Sequence, residues 1–324
     1  MDIKNKKLIY LLDLNSRSKE IELARQLKTS KQVVNYRIKK LESGKVIKKF
    51  QTVINLDSLG IGVYANVYFK IFGASKSKEE EIVNFLINNN DVGYVAILGG
   101  RFDLSIVLVA KNIQQLEENL NKIVNKYSEE LREHTISLRT FGVKFPKKYL
   151  LVRKIESKKI LTKERNLEKI DKLDKQILQI LSQNSRVSIV DISNRLKIPF
   201  STVRVRIKSL ENKNIIAGYS ILPDLNKLGM FNYKLFIKLR NKSEESYKKL
   251  LSFSEAHKNI IWVFKTLGEH DYELRIEVES QEKYQEIIKE IRSHFSQIIE
   301  ETETLIVFNE LKEDYSVILE EIKI

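Results

Sequence analysis

The 324-residue chain has few of the residue types on which catalytic and metal sites are usually built. It contains no cysteine and four histidines. Without cysteine there is no disulfide, no thiolate nucleophile and no Cys-ligated zinc or iron–sulfur site. His134, His257, His270 and His294 are well separated, and none pairs with another at the spacing of metal ligands on one helix or turn. We therefore expect no catalytic residue, no metal and no cofactor.

Long apolar runs are also absent. No segment approaches the ~18 consecutive apolar residues that a membrane-spanning helix needs, and the first residues are too polar for a signal sequence. Apolar residues still make up 42% of the chain, which is enough to build globular cores. The expected location is the cytoplasm, with no membrane partner.

The chain is basic, with 57 lysines and arginines and 43 aspartates and glutamates. The excess is uneven, because residues 1–50 contain 14 basic and 5 acidic residues, whereas residues 291–324 contain 3 and 8. A uniform compositional bias would not separate charge in this way. The N-terminal region therefore indicates a polyanionic partner, and clustered lysines and arginines bind nucleic acid by releasing counterions.

An internal repeat organises the chain. Residues 6–60 align without a gap with residues 175–229, at an offset of 169. Further matched pairs are Ser16 with Ser185 and Arg17 with Arg186 at this offset, Gly100 with Gly268 and Asp103 with Asp271 at an offset of 168, and Thr135 with Thr304 again at 169. The chain thus reads as two tandem copies of one unit. The basic segment between them, residues 146–167, is expected to be a solvated linker.

The first part of each copy predicts three short helices, whose apolar stripes can be buried only against one another. A tight turn, Lys28-Thr29-Ser30, separates the second stripe from the third, and the Ser30 hydroxyl suits a helix N-cap. Two helices joined in this way are typical of a helix-turn-helix. The second copy has Pro199 in place of Ser30, and proline is tolerated at a helix start.

The third helix of each copy is the predicted DNA-reading element. If Val34, Ile38 and Leu41 face inward, its opposite face is free to enter a major groove. An ordinary polar exterior is the alternative, but the basic charge of this module favours DNA. The expected DNA-contacting residues are Lys31, Gln32, Asn35, Tyr36, Arg37, Lys39 and Lys40 in the first copy, and Ser201, Thr202, Arg204, Arg206 and Lys208 in the second. We expect the second copy to bind more weakly or with another sequence preference.

The rest of each copy predicts the order βαββαβ, a ferredoxin-like split unit. A four-stranded sheet with both helices on one face leaves its other face uncovered. Not all of the apolar strand residues can point at the helices, so we expect two sheets to pack face to face and bury the surplus. Examples are Val63, Ala65, Val67, Ile106, Leu108, Phe236, Trp262 and Phe264. The partner sheet can come from the other copy in the same chain or from a copy in a second chain. The sequence leaves both possibilities open.

Several motifs together resemble the Lrp/AsnC family of feast/famine transcriptional regulators, over essentially the whole chain and in both copies. They are clearest in the second copy. They comprise Leu173-Asp174 and Ile177-Leu178 in the first helix, Ser201-Thr202-Val203, Arg206-Ile207 and Leu210-Glu211 in the third, Gly268 with Asp271-Tyr272, and Thr302-Glu303-Thr304 in the last strand. Each motif alone is weak, but their combination is specific.

The resemblance implies an α+β protein of two tandem units, each a winged helix-turn-helix followed by a ferredoxin-like βαββαβ effector domain of the RAM type. The expected domains are residues 1–52, 53–145, 168–220 and 221–324, with the linker at 146–167. It further implies a sequence-specific regulator, not an enzyme, that binds double-stranded DNA as a covalent pseudo-dimer and associates through its effector-domain sheets.

The same resemblance implies an amino-acid effector held between paired effector domains. Glycine lets backbone N–H groups approach a ligand carboxylate, and an aspartate can receive an ammonium group. The effector-binding residues expected by position are Gly100, Arg101, Asp103, Thr135, Gly268, His270, Asp271 and Thr304. The alternative is a tight hairpin in which the aspartate only caps the turn. The first copy also has Glu133-His134-Thr135 where the family has Thr-Glu-Thr.

Two other functions remain open. Siroheme decarboxylases resemble the same architecture, but they rely on histidine- and arginine-bearing motifs. Here the segments 93–96 and 262–264 carry no histidine cluster, and His270 stands in one copy only. A scaffold that senses a ligand without binding DNA is the other alternative, and the polar, basic face of the first copy argues against it.

Overall fold

The computed structural model describes residues 1–151, 160–161 and 167–321. Most of the expected linker, residues 146–167, lies outside the described residues. Its beginning is not a solvated segment, since Lys147 and Leu150 are buried. Leu150 packs in the same core cluster as Leu8 and Leu12, and the backbone N–H of Lys147 donates to the Asp13 carboxylate.

Helices and strands follow the order expected from the repeat. The α-helices are α1 (Ile3–Leu14), α2 (Glu20–Leu27), α3 (Lys31–Ser43), α4 (Lys76–Asn88), α5 (Ile113–Lys126), α6 (Lys172–Gln183), α7 (Ile189–Leu196), α8 (Phe200–Asn212), α9 (Glu244–Ala256) and α10 (Gln281–His294). The strands are β1 (Ile47–Ile54), β2 (Val63–Lys70), β3 (Val92–Gly99), β4 (Leu104–Ala110), β5 (Glu133–Lys144), β6 (Ile160–Leu161), β7 (Ile216–Pro223), β8 (Phe231–Leu239), β9 (Ile260–Leu267), β10 (Tyr272–Val278) and β11 (Ile299–Glu313). In the described part of the chain, no helix is long and apolar enough to cross a membrane.

The chain divides into two compact units, and each unit contains the corresponding parts of both copies. Residues 1–59 and 145–230 form the helical unit, and residues 60–144 and 231–321 form the barrel unit. These boundaries fall later than the expected 52/53 and 220/221. The reason is that β1 and β7, which follow the third helix of each copy, pair within the helical unit.

The helical unit is built by exchange of strands between the copies. β1 and β7 pair antiparallel with Gln51 opposite Ser220, two positions related by the repeat offset of 169. β7 packs on α1, and β1 packs on α6. Ile221 of β7 consequently lies in the same core cluster as Val34 and Ile38 of the first copy. Neither helix-turn-helix buries its core without a strand from the other.

The starts of the two third helices differ as the sequence predicts. The Ser30 hydroxyl accepts a hydrogen bond from the backbone N–H of Val33 at 3.3 Å, which satisfies one of the unpaired N–H groups of the first turn. Pro199 precedes α8 without a side-chain cap. Both expectations are confirmed.

Eight strands of the barrel unit form a closed antiparallel ring in the order β2-β4-β3-β11-β8-β10-β9-β5, and β5 pairs back to β2. Two of these joins, β3–β11 and β5–β9, connect the first copy to the second. In this unit the two copies therefore pair within one chain, a point that the sequence left open. Closing the ring removes exposed strand edges.

The outer side of the ring is apolar and packs against helices. Ala65, Val67, Ile106 and Leu108 all lie in one core cluster with residues of α4 and α5. By contrast, Phe236 and Phe264 lie inside the ring, where Phe236 contacts Tyr68 with ring centroids 5.0 Å apart and the Arg139 guanidinium lies over Phe264. The expectation that the named strand residues do not all point at the helices is confirmed, but the surplus is buried inside one closed ring and not between two separate sheets. The alternating positions point to the inside of the ring, because successive strand residues face opposite sides.

The strand register corrects the alignment of the last strands. Thr135 lies opposite Tyr68 of β2, and Glu303 lies opposite Phe236 of β8. Tyr68 and Phe236 are counterparts in the two copies. In the strand register Tyr68 lies opposite Ser105 of β4, and Phe236 lies opposite Glu273 of β10, the residue that matches Ser105 at the offset of 168. The counterpart of Thr135 is therefore Glu303 and not Thr304.

The inside of the ring holds a buried charged cluster to which both copies contribute. The Glu273 carboxylate accepts hydrogen bonds from Asn66 Nδ2 and the Tyr68 hydroxyl of the first copy, both at 2.6 Å, and from Lys234 Nζ at 2.8 Å. These four side chains are all buried. Arg139 of the first copy donates to Asn66 Oδ1 at 2.6 Å. Glu273 thus joins charged and polar groups of both copies.

A second, largely buried ion pair joins β10 and β11, the two strands on either side of β8. Arg275 of β10 pairs with Glu310 of β11, and Glu310 also accepts from the Tyr94 hydroxyl at 2.8 Å. Tyr94 belongs to the first copy. This pair, too, is completed across the join of the two copies.

The environment of Glu273 keeps it ionised. Burial acts to raise its pKa, but the nearby charges of Lys234 and Arg139, together with the hydrogen bonds from Lys234 and Tyr68, lower it from 4.5 to about 2. A carboxylate whose pKa is lower in the folded than in the unfolded chain stabilises the fold above the unfolded pKa. That contribution is lost as the pH falls toward the folded pKa.

We predict that Glu273→Ala lowers the free energy of unfolding by about 3–5 kcal/mol, because it leaves the buried Lys234 ammonium without its carboxylate and the half-buried Arg139 without a nearby negative charge. Chemical denaturation followed by circular dichroism measures this. The matched control is Glu81→Ala, which removes a carboxylate from an exposed pair with Lys78 and should change stability little. Equal effects of the two substitutions would contradict the prediction.

We also predict a pH dependence for Glu273→Gln. The difference in unfolding free energy between the wild-type chain and this variant should be full above about pH 5 and should shrink as the pH falls to about 2. Denaturation series at several pH values measure it. A difference that is constant or grows on acidification would show that Glu273 is not held ionised by its partners.

Candidate nucleic-acid interface

Helix α3 presents the face that the sequence predicts. Val34, Ile38 and Leu41 are buried in the core of the first helix-turn-helix. The exposed residues of the expected set are Lys31, Gln32, Asn35, Tyr36, Lys39 and Lys40. The expected orientation of the helix is confirmed, while the role of these side chains in DNA binding stays a prediction.

Arg37 and Arg206 are not free members of this face. Both are half-buried. Arg37 donates to Asp2 at 2.8 Å and to Asn5 at 2.6 Å, and Arg206 pairs with Asp171 at 2.7 Å. Asp2 and Asp171 are the N-caps of α1 and α6. The two arginines therefore tie the third helix to the start of the first, and we leave them out of the DNA-contacting set.

Helix α8 presents the equivalent positions of the second copy. Val203, Ile207 and Leu210 are buried, and Thr202 is partly buried. The exposed face carries Phe200, Ser201, Arg204, Val205 and Lys208. Phe200 was missed in the sequence, although its alignment with Lys31 at the repeat offset was the signal that would have found it.

The two helix-turn-helix domains are joined by reciprocal contacts of the repeated Asn-Ser-Arg motif. The hydroxyls of Ser16 and Ser185 share a hydrogen bond of 2.6 Å. Arg17 donates to the backbone carbonyls of Ser185 and Val187, and Arg186 donates to the carbonyl of Ser16 at 2.6 Å. Equivalent residues exchange equivalent contacts, as in an isologous dimer. Sequence reasoning found this repeat but gave it no role.

The candidate DNA-reading helices, α3 and α8, each carry more basic than acidic residues. In α3 the single acidic residue is Glu42, against Lys31, Arg37, Lys39 and Lys40. In α8 it is Glu211, which accepts a hydrogen bond from the Tyr219 hydroxyl at 2.7 Å. Few carboxylates on these helices would therefore repel a phosphate backbone that binds to their exposed lysines and arginines.

The expected effector loops lie at the joins of the two copies in the barrel unit. Gly100 and Gly268 adopt positive φ angles of 120° and 156°. A Cβ on Gly268 would lie 2.7 Å from the carbonyl oxygen of Ile136, and one on Gly100 would lie 3.3 Å from that of Thr304. Each loop thus packs tightly on the last strand of the other copy.

The two loop aspartates are engaged within the fold. Asp103 Oδ2 accepts from the backbone N–H of Ile71, and Asp271 Oδ2 accepts from that of Leu239, both at 2.8 Å. Lys242 also pairs with Asp271 at 2.8 Å. Each aspartate therefore binds backbone at the end of a neighbouring strand, β2 or β8, and does not cap its own turn.

The other expected effector residues have different partners within the fold. Arg101 pairs across the join with Glu269, the residue that corresponds to it in the second copy, and approaches Glu303 at 3.4 Å. His270 is buried and stacks on Phe236 with ring centroids 3.9 Å apart, and burial lowers its pKa. Within the described part of the chain, no group of three or more His, Asp or Glu side chains is placed to hold a metal ion.

The two threonines of the expected set have different surroundings. The Thr304 hydroxyl shares a hydrogen bond of 2.8 Å with that of Tyr284 on α10. Thr135 is partly buried on β5. Gly100 thus adjoins Thr304 at one join, and Gly268 packs on Ile136, the residue after Thr135, at the other. The role of the eight expected residues in effector binding stays a prediction.

Comparison with protein families gives two matches. A winged helix-turn-helix DNA-binding family matches residues 1–48 and again residues 170–217. The family of Lrp/AsnC ligand-binding domains matches residues 235–317. The first match contains α1–α3 in one copy and α6–α8 in the other, the helices that carry the candidate interface.

Curated relatives align with part of this chain. An uncharacterised HTH-type transcriptional regulator of Pyrococcus furiosus is 29% identical over 150 residues, which are 45% of this chain and 96% of that protein. The HTH-type transcriptional regulator LrpB of Bacillus subtilis is 30% identical over 122 residues, which are 38% of this chain and 80% of that protein.

A solved structure matches the chain over its whole length. It is that of the siroheme decarboxylase NirDL, with a TM-score of 0.62, 14% sequence identity and coverage of 98% of both chains. At this identity the likeness shows a shared fold and nothing about activity.

The relatives correspond to less than half of this chain, whose helix-turn-helix and βαββαβ parts each occur twice. The chain belongs to the Lrp/AsnC family of transcriptional regulators.

Proposed function

We propose that this protein is a sequence-specific DNA-binding regulator in which one chain acts as a covalent pseudo-dimer. The observation that carries the proposal is the reciprocal exchange between Ser16-Arg17 and Ser185-Arg186. It makes α3 and α8 counterparts about a pseudo-twofold axis, as the recognition helices of a helix-turn-helix dimer are on two half-sites of an operator. Single-copy proteins obtain this arrangement by dimerising.

The exposed side chains of α3 suit both parts of DNA recognition. Lysines such as Lys39 and Lys40 neutralise phosphates and release counterions. The amides of Gln32 and Asn35 can each donate to and accept from one adenine edge in the major groove. Phosphate contacts position the protein on DNA, while base contacts give sequence preference.

The proposal includes a small-molecule effector that acts at the joins of the barrel unit. Two features support this location: each glycine loop packs on a strand of the other copy, and the ion pair of Arg101 with Glu269 bridges the two loops. A ligand carboxylate competing for Arg101 would alter a contact between the copies. Such a ligand shifts an equilibrium only by its differential affinity for the two states.

We predict that Lys39→Ala and Lys208→Ala each weaken binding to all DNA sequences and each reduce the slope of log affinity against log salt by about one. Fluorescence anisotropy with the protein's own upstream DNA over a salt series measures both effects. Lys289→Ala is the matched control, because Lys289 is equally an exposed helical lysine but lies on α10 of the barrel unit. Equal losses for all three variants would contradict the assignment of the interface.

We predict that one chain occupies a complete operator. DNA fragments selected by the full-length protein should contain an imperfect inverted repeat, because α3 and α8 are related by a twofold and differ in sequence. Native mass spectrometry of the complex should give one chain per selected duplex. Two chains on each duplex, with one helix-turn-helix engaged per chain, would overturn the pseudo-dimer.

The fold shared with siroheme decarboxylase NirDL calls for a direct measurement of the enzymatic alternative. On our proposal, siroheme added to the purified protein keeps the absorbance spectrum that it has with albumin. A protein-specific spectral change followed by loss of carbon dioxide would replace the regulator proposal with an enzymatic one. Salt-sensitive DNA binding without such a change would support the regulator.

A further inference from the structure

We propose that α8 reads a half-site different from that of α3, and that it does so through the C5-methyl groups of thymines contacted by Phe200 and Val205, beside a guanine contacted by Arg204. This inference rests on the proposed DNA-binding function and specifies the second half-site. The proposed ligand is a double-stranded DNA half-site that presents thymine and guanine in its major groove.

The two reading faces can be compared position by position, because the repeat offset of 169 holds without a gap through both helices. Each helix also has its three buried residues at matching positions. The exposed pairs are Lys31 with Phe200, Gln32 with Ser201, Asn35 with Arg204, Tyr36 with Val205, and Lys39 with Lys208. One pair of the five is identical, so the helices share a way of docking but not a set of base-contacting groups.

The apolar residues on this face have no packing role inside the domain. Phe200 is 55% and Val205 67% exposed, whereas Val203, Ile207 and Leu210 fill the core. Their counterparts in α3 are a lysine and a tyrosine. A charged or polar side chain at both positions would leave the core of the helix-turn-helix unchanged, and the apolar ones have surface available for a partner.

The chemistry of the major groove identifies that partner. Thymine is the base that presents a methyl group there, and apolar side chains recognise it by contact, whereas arginine recognises the O6 and N7 edge of guanine. The Arg204 guanidinium lies over the Phe200 ring, 5.6 Å from its centroid. The two side chains therefore reach the groove together, and Lys208 is left for a phosphate.

The basic surroundings argue for DNA over a protein partner at this patch. Arg204 and Lys208 lie on the same exposed face as Phe200 and Val205, and α8 contains a single acidic residue, Glu211, which is engaged by Tyr219. In a T-rich major groove, the C5-methyl groups of thymine lie close to the phosphates of the backbone, so this surface matches both the apolar and the basic side chains. The α3 face, by contrast, offers the two amides of Gln32 and Asn35, which suit adenine.

The test replaces thymine with 2′-deoxyuridine, which keeps every hydrogen-bonding group and removes the methyl. The operator is first selected from random DNA by the full-length protein, and its half-sites are assigned by the losses of sequence preference in Asn35→Ala and Arg204→Ala. Uracil is then introduced into one half-site at a time, and affinity is measured by fluorescence anisotropy.

We expect uracil in the α8 half-site to weaken binding by about three- to fivefold for each contacted methyl, and uracil in the α3 half-site to have little effect. The double variant Phe200→Ala/Val205→Ala should bind the normal operator more weakly and no longer distinguish uracil from thymine. Ile113→Ala, an exposed apolar residue on α5 of the barrel unit, is the matched control and should keep the wild-type response. Both sites are exposed, so melting temperatures should stay unchanged.

The outcomes separate the inference from the function on which it rests. If no DNA is selected at all, the proposed function fails. If DNA is bound but both half-sites have the same sequence, or if uracil in the α8 half-site is tolerated as well as in the other, this inference is overturned while the regulator proposal stands. The same holds if the double variant binds DNA like the wild-type chain, in which case the patch faces something other than DNA.

Discussion

Strand pairing between the two copies is the constraint on which the rest of this molecule depends. In the helical unit β1 of the first copy pairs with β7 of the second, and in the barrel unit β3 pairs with β11 and β5 with β9. Without these pairs each helix-turn-helix core would lose the strand that covers it, and the eight-stranded ring would open at two joins. The packing, the buried ion pairs and the twofold relation of the reading helices all follow from this pairing.

The pairing favours unlike copies over like ones. By strand register, Glu273 corresponds to Ser105 and Lys234 to Asn66. Two second copies brought together would bury two charged pairs without the Asn66 and Tyr68 that complete them here. Arg101 and Glu269 are also counterparts, yet they pair with each other, so that a pairing of like copies would place equal charges together. Specificity of this kind comes from the unpaired buried charges and the like-charge contacts that a wrong pairing of copies would create.

Much of the local structure followed from periodicity. The sequence pattern predicts a helix over residues 244–256 and strands over 260–267 and 272–278, and α9, β9 and β10 have these ends, because caps and alternating apolar residues are local signals. The face of α3 was also predictable, since Val34, Ile38 and Leu41 share one side of a helix. The pairing of Arg37 with Asp2 was not predictable, because it depends on how α1 crosses α3 and the sequence pattern does not contain this crossing. Arg37 was therefore assigned to DNA.

The inside of the ring was not predictable for a related reason. Strand residues alternate between two faces, and both faces are buried in this unit, so hydrophobicity did not tell inside from outside. Lys234, Glu273, Arg275 and Glu277 on neighbouring strands were the available signal, because charged residues are rarely placed in buried strands without partners. The exchange of β1 and β7 left no local signal at all.

The unequal faces of α3 and α8 have a consequence for how such a chain meets a gene. A homodimer on a palindrome looks the same when it is turned end for end, and every substitution in its reading helix changes both half-sites at once. A chain with one helix bearing Lys31 and another bearing Phe200 at the matching position has a left and a right end. On the proposed function, each end can change its sequence preference without the other, and the bound chain points in one direction along the DNA.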